Sequence, residues 1–492
     1  MGFFEYPFSK WSAEQERDRQ SDLFIRPTYY GPIDENFRNG SGMFLVGERG
    51  TGKTAAIYDL ISRAVHSNLV TNIDDFSSVN TTYEPKELYF LIISNVADKI
   101  FSRIFNKRKL LRKLKSSERL LLSYVYQEFT TPTTKSELTR RLEEIQAPFV
   151  KRWAFKIFSI LRLPVNLALN TVVHAGSEAL ARAIGTASGQ VSEYQVREFF
   201  PDIPFRSDSS FNSLRASLNL LERMATLVKN LGLGRTIVVL DKLDEDARLE
   251  GDADRIAGFV KGVITQTNLH LSQNVQLVAS IWSVPFNMLL KQENVRTQKM
   301  NVESLSWDRS DLERALNTRL KVFSNGKIVN LSEILESHIP VQDVDLMYYL
   351  ANNNPRDMWH VMDAAMRQQF KIDPFSTKIS IIAVQDGLKA FVKTFNYYEY
   401  YPRRANARAN SMDVYAYIRH LLRLSSPEFT RNQLTERSGV SGASVNNYVS
   451  AMENMGLISS KGQTGGNVNY VIRDPKIRFA LEHHLDVALE AR

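Results

Sequence analysis

The sequence predicts an α/β core built on a parallel sheet, with a helical insertion, a helical lid and a C-terminal winged-helix domain. Three observations lead there. A short apolar run, Met43–Val46, ends at a glycine-rich loop, and apolar residues at helical spacing follow from Thr54 to Ala64. Two more runs, Thr236–Leu240 and Val275–Ile281, are apolar and rich in β-branched residues, the composition of central parallel strands, and helical patterns separate them. Past a polar, basic stretch at 403–410, short helical segments lead into two strand-like runs joined by a glycine turn.

The chain has 492 residues, too many for one compact core, so roughly two to four domains are expected. Hydrophobic residues make up 43% and charged residues 24%, which is ordinary for a soluble globular protein. The absence of cysteine excludes disulfides, thiolate zinc sites and cysteine nucleophiles, and it fits a reducing compartment; a cytoplasmic location is the expectation. The first residues, MGFFEYPFSKWSAEQERDRQ, lack the order of a signal peptide. The one long apolar stretch, Trp153–Gly176, is interrupted by Lys156, Arg162 and Pro164, and reads as an amphipathic helix packed on protein or lying at a membrane surface rather than spanning one.

The formal charge of +8 favours an anionic partner. Much of it is concentrated in Arg103, Lys107, Arg108, Lys109, Arg112, Lys113 and Lys115, followed by Arg140, Arg141, Lys151 and Arg152. Such a cluster is either a solvated helix face or a nucleic-acid patch.

Residues 47–54 read GERGTGKT and match the eight-residue P-loop pattern in full. Gly47, Gly50 and Gly52 permit positive φ and close approach of the backbone. The N–H groups from Gly47 through Glu48, Arg49, Gly50, Thr51 and Gly52 to Lys53 and Thr54 form an anion nest at a helix N-terminus. Lys53 brings a point charge to the β and γ phosphates, and Thr54 a hydroxyl for Mg²⁺. The fold class is therefore an α/β P-loop NTPase core, and ATP with Mg²⁺ is the expected ligand. The second half of such a site is an acidic pair after another buried strand, and TIVVLDKLDED at 236–246 fits. Asp241 at the strand tip would hold Mg²⁺ through water; either Asp244 or Glu245 would activate the attacking water.

The expected organisation is an N-terminal segment at 1–40, the ATPase core at 41–307 with a helical insertion at about 84–185, a lid at 308–402, a linker at 403–410 and a winged helix at 411–492. Within the core, a loop at 186–210 precedes a helix from Ser213 to about Leu231, and Met300–Leu305 reads as a third strand.

The apolar strand ending in Asp-x-x-Asp-Glu, paired with GERGTGKT, resembles the STAND and AAA+-related ATPases, in particular the prokaryotic members near the origin-recognition ATPases. Leu305-Ser306-Trp307-Asp308, followed by Asp311-Leu312 and Arg319, is similar to that group's entry into the helical lid, and Asn354-Pro355-Arg356-Asp357 to its lid motif. The resemblance covers roughly residues 40–370. It implies that Arg356 touches the γ-phosphate, that Val275–Ile281 is the sensor strand with Ser280 or Ser283 beside that phosphate, and that Arg296, Arg309, Arg314 or Arg319 acts as a finger in a neighbouring subunit. It also implies a homo-oligomer and a switch whose lid follows the γ-phosphate, with a partner protein from prokaryotic phage-defence or mobile-element systems. The chain departs from the group in carrying Trp282 between two serines at the end of the sensor strand.

At the C-terminus, helices at about Asp413–Leu424, Arg431–Ser438 and Ala443–Met455, the last capped by Ser441, precede a hairpin of Leu457–Ser460 and Val468–Ile472. On DNA, Ser444, Asn446 and Asn447 would face the major groove and Lys461 a phosphate, with Arg403, Arg404, Arg408, Arg431 and Arg473 supplying charge from the flanks. Ser441–Met455 contains no Lys or Arg, so a protein-docking role stands beside DNA binding. Three functions follow: an ATP switch engaging nucleic acid, DNA favoured; a replication-initiator-like DNA-binding ATPase; or an ATP-controlled scaffold that binds no nucleic acid.

Overall fold

The computed structural model describes residues 1–129, 214–292, 297–401, 403, 413–439, 442–464 and 467–487. Trp153–Gly176, the loop at 186–210, most of the expected insertion and linker, and Arg140, Arg141, Lys151, Arg152, Arg296, Arg404, Arg408 and Ser441 lie outside the described residues.

Five strands form one parallel sheet: β1 (Met43–Gly47), β2 (Leu69–Ile73), β3 (Thr236–Leu240), β4 (Val275–Trp282) and β5 (Asn301–Ser304). Their order is β2-β3-β4-β1-β5. β3 and β4 are buried along their whole length, as expected of largely apolar strands covered on both faces, and β4 buries the polar Gln276 and Ser280 with the rest. β2 and β5 close the edges and are only partly buried. β2, LVTNI, alternates buried and half-buried positions, but its residues do not alternate apolar with polar, so the sequence carries no period-2 signal for it.

Helices cover both faces. Met43, Leu45, Ile237, Val239 and Val278 pack with α1 (Tyr30–Arg38) and α2 (Lys53–Ala64). Phe44, Val46, Val238, Leu240, Leu277 and Ala279 pack on the other face with α3 (Pro85–Asn106), α5 (Leu214–Asn230) and α6 (Ala253–Ile264). Consecutive strand residues point to opposite faces, so each strand feeds both cores. α3 opens with Pro85 at its first turn and a reciprocal cap between Glu84 and Glu87. It belongs to the core of the sheet, and α4 (Ser116–Phe129) continues from it. α7 (Ser283–Gln292) leaves the end of β4.

The lid is four helices: α8 (Arg309–Phe323), α9 (Val341–Ala351), α10 (Pro355–Ile372) and α11 (Ile381–Thr394). Asp308, Asn354 and Ser380 cap three of them with side-chain acceptors. α10 and α11 approach so closely that a Cβ on Gly387 would meet Ala365 Cα at 2.6 Å.

Beyond the lid come α12 (Val414–Leu421), β6 (Glu428–Thr430), α13 (Arg431–Ser438), α14 (Gly442–Met455), β7 (Ile458–Thr464), β8 (Asn467–Ile472) and α15 (Pro475–Glu482). β6, β8 and β7 form an antiparallel sheet in that order, within a helix–strand–helix–helix–hairpin succession. α15 packs back on the lid, and its Ile477, Phe479 and Ala480 share one apolar core with lid helices and with Phe8 of the N-terminal segment.

Candidate functional site

The register brings the chemistry to the C-terminal ends of the three central strands. Gly47 lies opposite Trp282, and Leu240 lies opposite Ala279, so Asp241 arrives beside Ser280. β4 thus stands between the strand that ends in the glycine-rich loop and the strand that ends in the acidic segment.

In the loop, Gly50 (φ +82°) and Gly52 (φ +85°) adopt the left-handed conformation that favours glycine. Gly50 has a second reason: a Cβ there would stand 2.7 Å from Asn354 Oδ1 of the lid. Asn354 Nδ2 donates to the Arg49 carbonyl at 2.7 Å, so the loop is clasped by the first turn of α10. Thr51 Oγ1 donates to the Glu48 carbonyl at 2.9 Å, and Trp307 Nε1 to the Thr51 carbonyl at 2.8 Å. Lys53 Nζ donates to the carbonyls of Gly47 (3.0 Å) and Glu48 (2.9 Å). Burial pushes this ammonium below the ordinary lysine range, against the pull of Asp244, Asp241 and Glu245.

Asp241 is 1% exposed, and burial pushes its carboxyl above the usual range. Its Oδ1 accepts from Ser280 Oγ and from the Lys242 N–H, while Oδ2 is buried without a hydrogen-bond partner. The Thr54 hydroxyl lies beside the same carboxylate. An orphaned carboxylate oxygen next to a hydroxyl is a donor set that suits a small hard cation, so Thr54 and Asp241 fit Mg²⁺.

Lys53, Thr54, Asp241, Asp244, Glu245 and Arg356 line a common cleft of about 470 Å³. Its other wall is apolar: Trp11, Phe24 and Ile25 of the N-terminal segment face Trp359 of the lid. These residues were not read as site residues from the sequence. The one signal was the density of aromatics in an otherwise polar N-terminal stretch. That segment is held in place by Gln20 Nε2 donating to the Ala55 carbonyl at 2.6 Å, by Glu14 paired with Lys242 at 2.8 Å, and by Trp11 stacked on His360 at 4.1 Å between ring centres.

The acidic pair is split by its surroundings. Asp244 is buried and ion-paired with Arg49. Glu245 opens to the cleft, where desolvation, then repulsion from Asp244, raises its carboxyl above the ordinary glutamate range. Arg356 lines the cleft, but its Nη1 lies 3.3 Å from Glu399 Oε2.

One expectation is narrowed and one is corrected. Of the two sensor serines, Ser280 lines the cleft with its hydroxyl donating to Asp241, whereas Ser283 begins α7 and does not line the cleft. Arg319 cannot serve as a finger for a neighbour: it is 3% exposed and holds Glu16 and the Pro7 carbonyl. Arg309 and Arg314 are about half exposed and paired with Asp345 and Asp311.

Strand order, glycine loop at a helix N-terminus and acidic residue at a nearby strand tip define a P-loop α/β nucleotide-binding fold with a helical lid. No protein-family model matches the chain, and no curated protein matches it. Among solved structures it is similar to the ORC2 protein of Aeropyrum pernix, in its ADPNP–ADP complexes, with 10% identity, a TM-score of 0.41 and coverage of 94% of this chain and 96% of that one. It is also similar to Cdc6p from Pyrobaculum aerophilum, with 11% identity, a TM-score of 0.30 and coverage of 98% and 97%.

Proposed function

We propose that the chain is an ATP-binding and ATP-hydrolysing switch of the STAND/AAA+ type that engages DNA. One observation carries the reading: Lys53, the Thr54 hydroxyl and the unpartnered Asp241 oxygen converge on one cleft with an apolar wall. The loop N–H groups bind the phosphates, and Trp11, Phe24, Ile25 and Trp359 enclose the base. Thr54 and Asp241 would hold Mg²⁺, which neutralises charge on the phosphates when bound. Glu245 takes the proton of the attacking water, since Asp244 is engaged by Arg49. Arg356, at the start of the lid, reports whether a γ-phosphate is present, and an exposed arginine such as Arg309 or Arg314 serves a neighbouring copy.

The DNA surface combines exposed Lys107, Lys109, Arg112, Lys113 and Lys115 with the exposed Asn446 and Asn447 of α14. No described helix is long and apolar enough to cross a membrane. One observation favours the scaffold reading: Lys461 of the wing is paired with Glu428 at 2.5 Å rather than presented alone. The test is ATP hydrolysis with and without double-stranded DNA, with Lys53→Ala as control. Stimulation by DNA that is lost in the variant supports the switch. Hydrolysis indifferent to DNA shifts the reading to the scaffold, and Lys53→Ala binding Mg²⁺-ATP like wild type removes the site assignment.

A further inference from the structure

The geometry points to Arg49 as a positioning residue for Glu245, held in that role by the face of Trp282. This rests on the hydrolytic reading of the site. Arg49 is the third residue of the glycine loop, where P-loop chemistry asks only for a backbone N–H. Its side chain nevertheless turns inward and is 17% exposed. Nε lies 3.2 Å from Asp244 Oδ2, and Nη2 donates to the Asp244 main-chain carbonyl at 2.9 Å. The second bond matters most. That carbonyl belongs to the peptide joining Asp244 to Glu245, so the guanidinium fixes the plane from which Glu245 projects into the cleft.

The guanidinium is itself fixed. Its carbon lies 4.3 Å from the ring centre of Trp282, the last residue of β4. Trp282 is fully buried, and its indole N–H has no acceptor. A buried unsatisfied donor is costly, and phenylalanine would fill the strand end without it. What tryptophan adds is the ring face best suited to a cation. The main chain of Arg49 is held from the lid by Asn354. One residue therefore joins the phosphate loop, the strand end, the acidic loop and the lid. The site depends on a charged group carried in the loop at the place where β4 ends in an aromatic ring instead of a polar side chain.

Purified wild type, Arg49→Gln, Arg49→Lys and Trp282→Phe are compared for Mg²⁺-ATP affinity and for kcat, with Lys53→Ala as control. The loop binds phosphate through its backbone, so Arg49→Gln is expected to bind ATP within about 3-fold of wild type, while kcat falls by about 10- to 100-fold, the range seen when a reacting group is misplaced by an ångström. Lysine keeps the charge but has no fork to grip carboxylate and carbonyl together, so Arg49→Lys is expected to recover little. Trp282→Phe is expected to keep the thermal midpoint and lose kcat. Unchanged kcat in Arg49→Gln, or full activity in Arg49→Lys, overturns the role of Arg49. Loss of affinity and kcat in proportion also overturns it, because that marks a general disturbance of the loop. Wild type that binds ATP without hydrolysing it overturns the hydrolytic reading itself, and this inference with it.

Discussion

The Lys476 ammonium lies 2.8 Å from Asp357 Oδ2, and neither side chain reaches solvent appreciably. Lys476 lies in the first turn of α15; Asp357 follows Arg356 in the first turn of the lid helix that clasps the glycine loop. Phe395 and Tyr400 place their rings 4.3 Å and 4.6 Å from the ammonium. Tyr400 donates to Asp357 at 2.8 Å, and Tyr401 to Asp474 at 3.0 Å. The C-terminal unit is thus anchored one residue away from the arginine that lines the cleft.

Removing one partner of a buried ion pair strands the other, which costs about 3–5 kcal/mol. Lys476→Met is expected to lower the thermal midpoint clearly, and Lys476→Met with Asp357→Asn to regain part of the loss. Burial alone would push the Lys476 ammonium down, but Asp357 and Asp474 more than offset it and hold it above the ordinary lysine value. A cation raised in the folded state contributes fully below its unfolded pKa, near 10.4, and ceases to as pH rises through the folded value. The deficit of Lys476→Met should therefore persist at neutral pH and shrink only above about pH 10.4. A variant as stable as wild type at pH 7 would show that the pair anchors nothing.

Arg356 is shared. Its Nη1 pairs with Glu399 at 3.3 Å, and Glu399 sits just before Arg403, whose N–H donates to the Gly251 carbonyl at 3.1 Å in the loop after the acidic pair. On the proposed reading, a γ-phosphate bound in the cleft would compete with Glu399 for the guanidinium. Both side chains are partly exposed, so the pair is worth at most about 1 kcal/mol. Glu399→Gln should tighten a non-hydrolysable ATP analogue by about 2- to 5-fold while leaving ADP unchanged. Calorimetric titrations showing the same gain for both nucleotides would mean that Arg356 does not read the γ-phosphate.

Much of this site was legible because its signals are local. GERGTGKT needs Gly50 and Gly52 where the backbone turns left-handed, which it does not do at Gly47, and Asp241 follows the fully buried strand TIVVL. Asn354-Pro355-Arg356 carries its own helix cap. What escaped is made by distant pairings. Nothing in GERGTGKT says where the Arg49 side chain goes; β4 brings Trp282 beside it, and Asp244, 195 positions along the chain, meets its guanidinium. Trp11 and Phe24 come to the cleft only because the fold sets Trp359 of the lid in the same lining. Lys476 reads as an exposed helix-start lysine, and only tertiary packing shows that it is buried. No periodicity or spacing encodes such contacts.

The two acidic neighbours should separate in kinetics. Removing a general base typically costs about 10²- to 10⁴-fold in rate, so Glu245→Gln should hold ATP and lose turnover on that scale. Asp244→Asn keeps a carbonyl for Arg49 to grip and should lose less. Glu245 acts deprotonated, and desolvation with Asp244 beside it raises its pKa. As pH falls the rate should therefore decline at a higher pH than an ordinary glutamate sets. Equal losses in the two variants, or a profile flat through that region, would remove Glu245 from the base role.

Lys107, Lys109, Arg112, Lys113 and Lys115 are exposed at the end of α3 and just beyond it, whereas Arg103 is turned inward with Nη2 bonded to the Val65 carbonyl at 2.9 Å. The exposed set is free of that structural duty and projects from an element packed on the ATPase sheet. Each phosphate it neutralises on DNA releases counterions, so the slope of log affinity against log salt should flatten by about 0.9 for every contact removed by Lys or Arg→Gln. Asn446→Ala and Asn447→Ala on α14 act differently. Asparagine carries no charge, so these changes should leave the salt slope alone and lower only the discrimination between DNA sequences. Fluorescence anisotropy across a salt series measures both. A slope unmoved by neutralising the five cations would make the cluster a solvated helix end, and would move the DNA contact, if binding persists, to the C-terminal unit that carries α14.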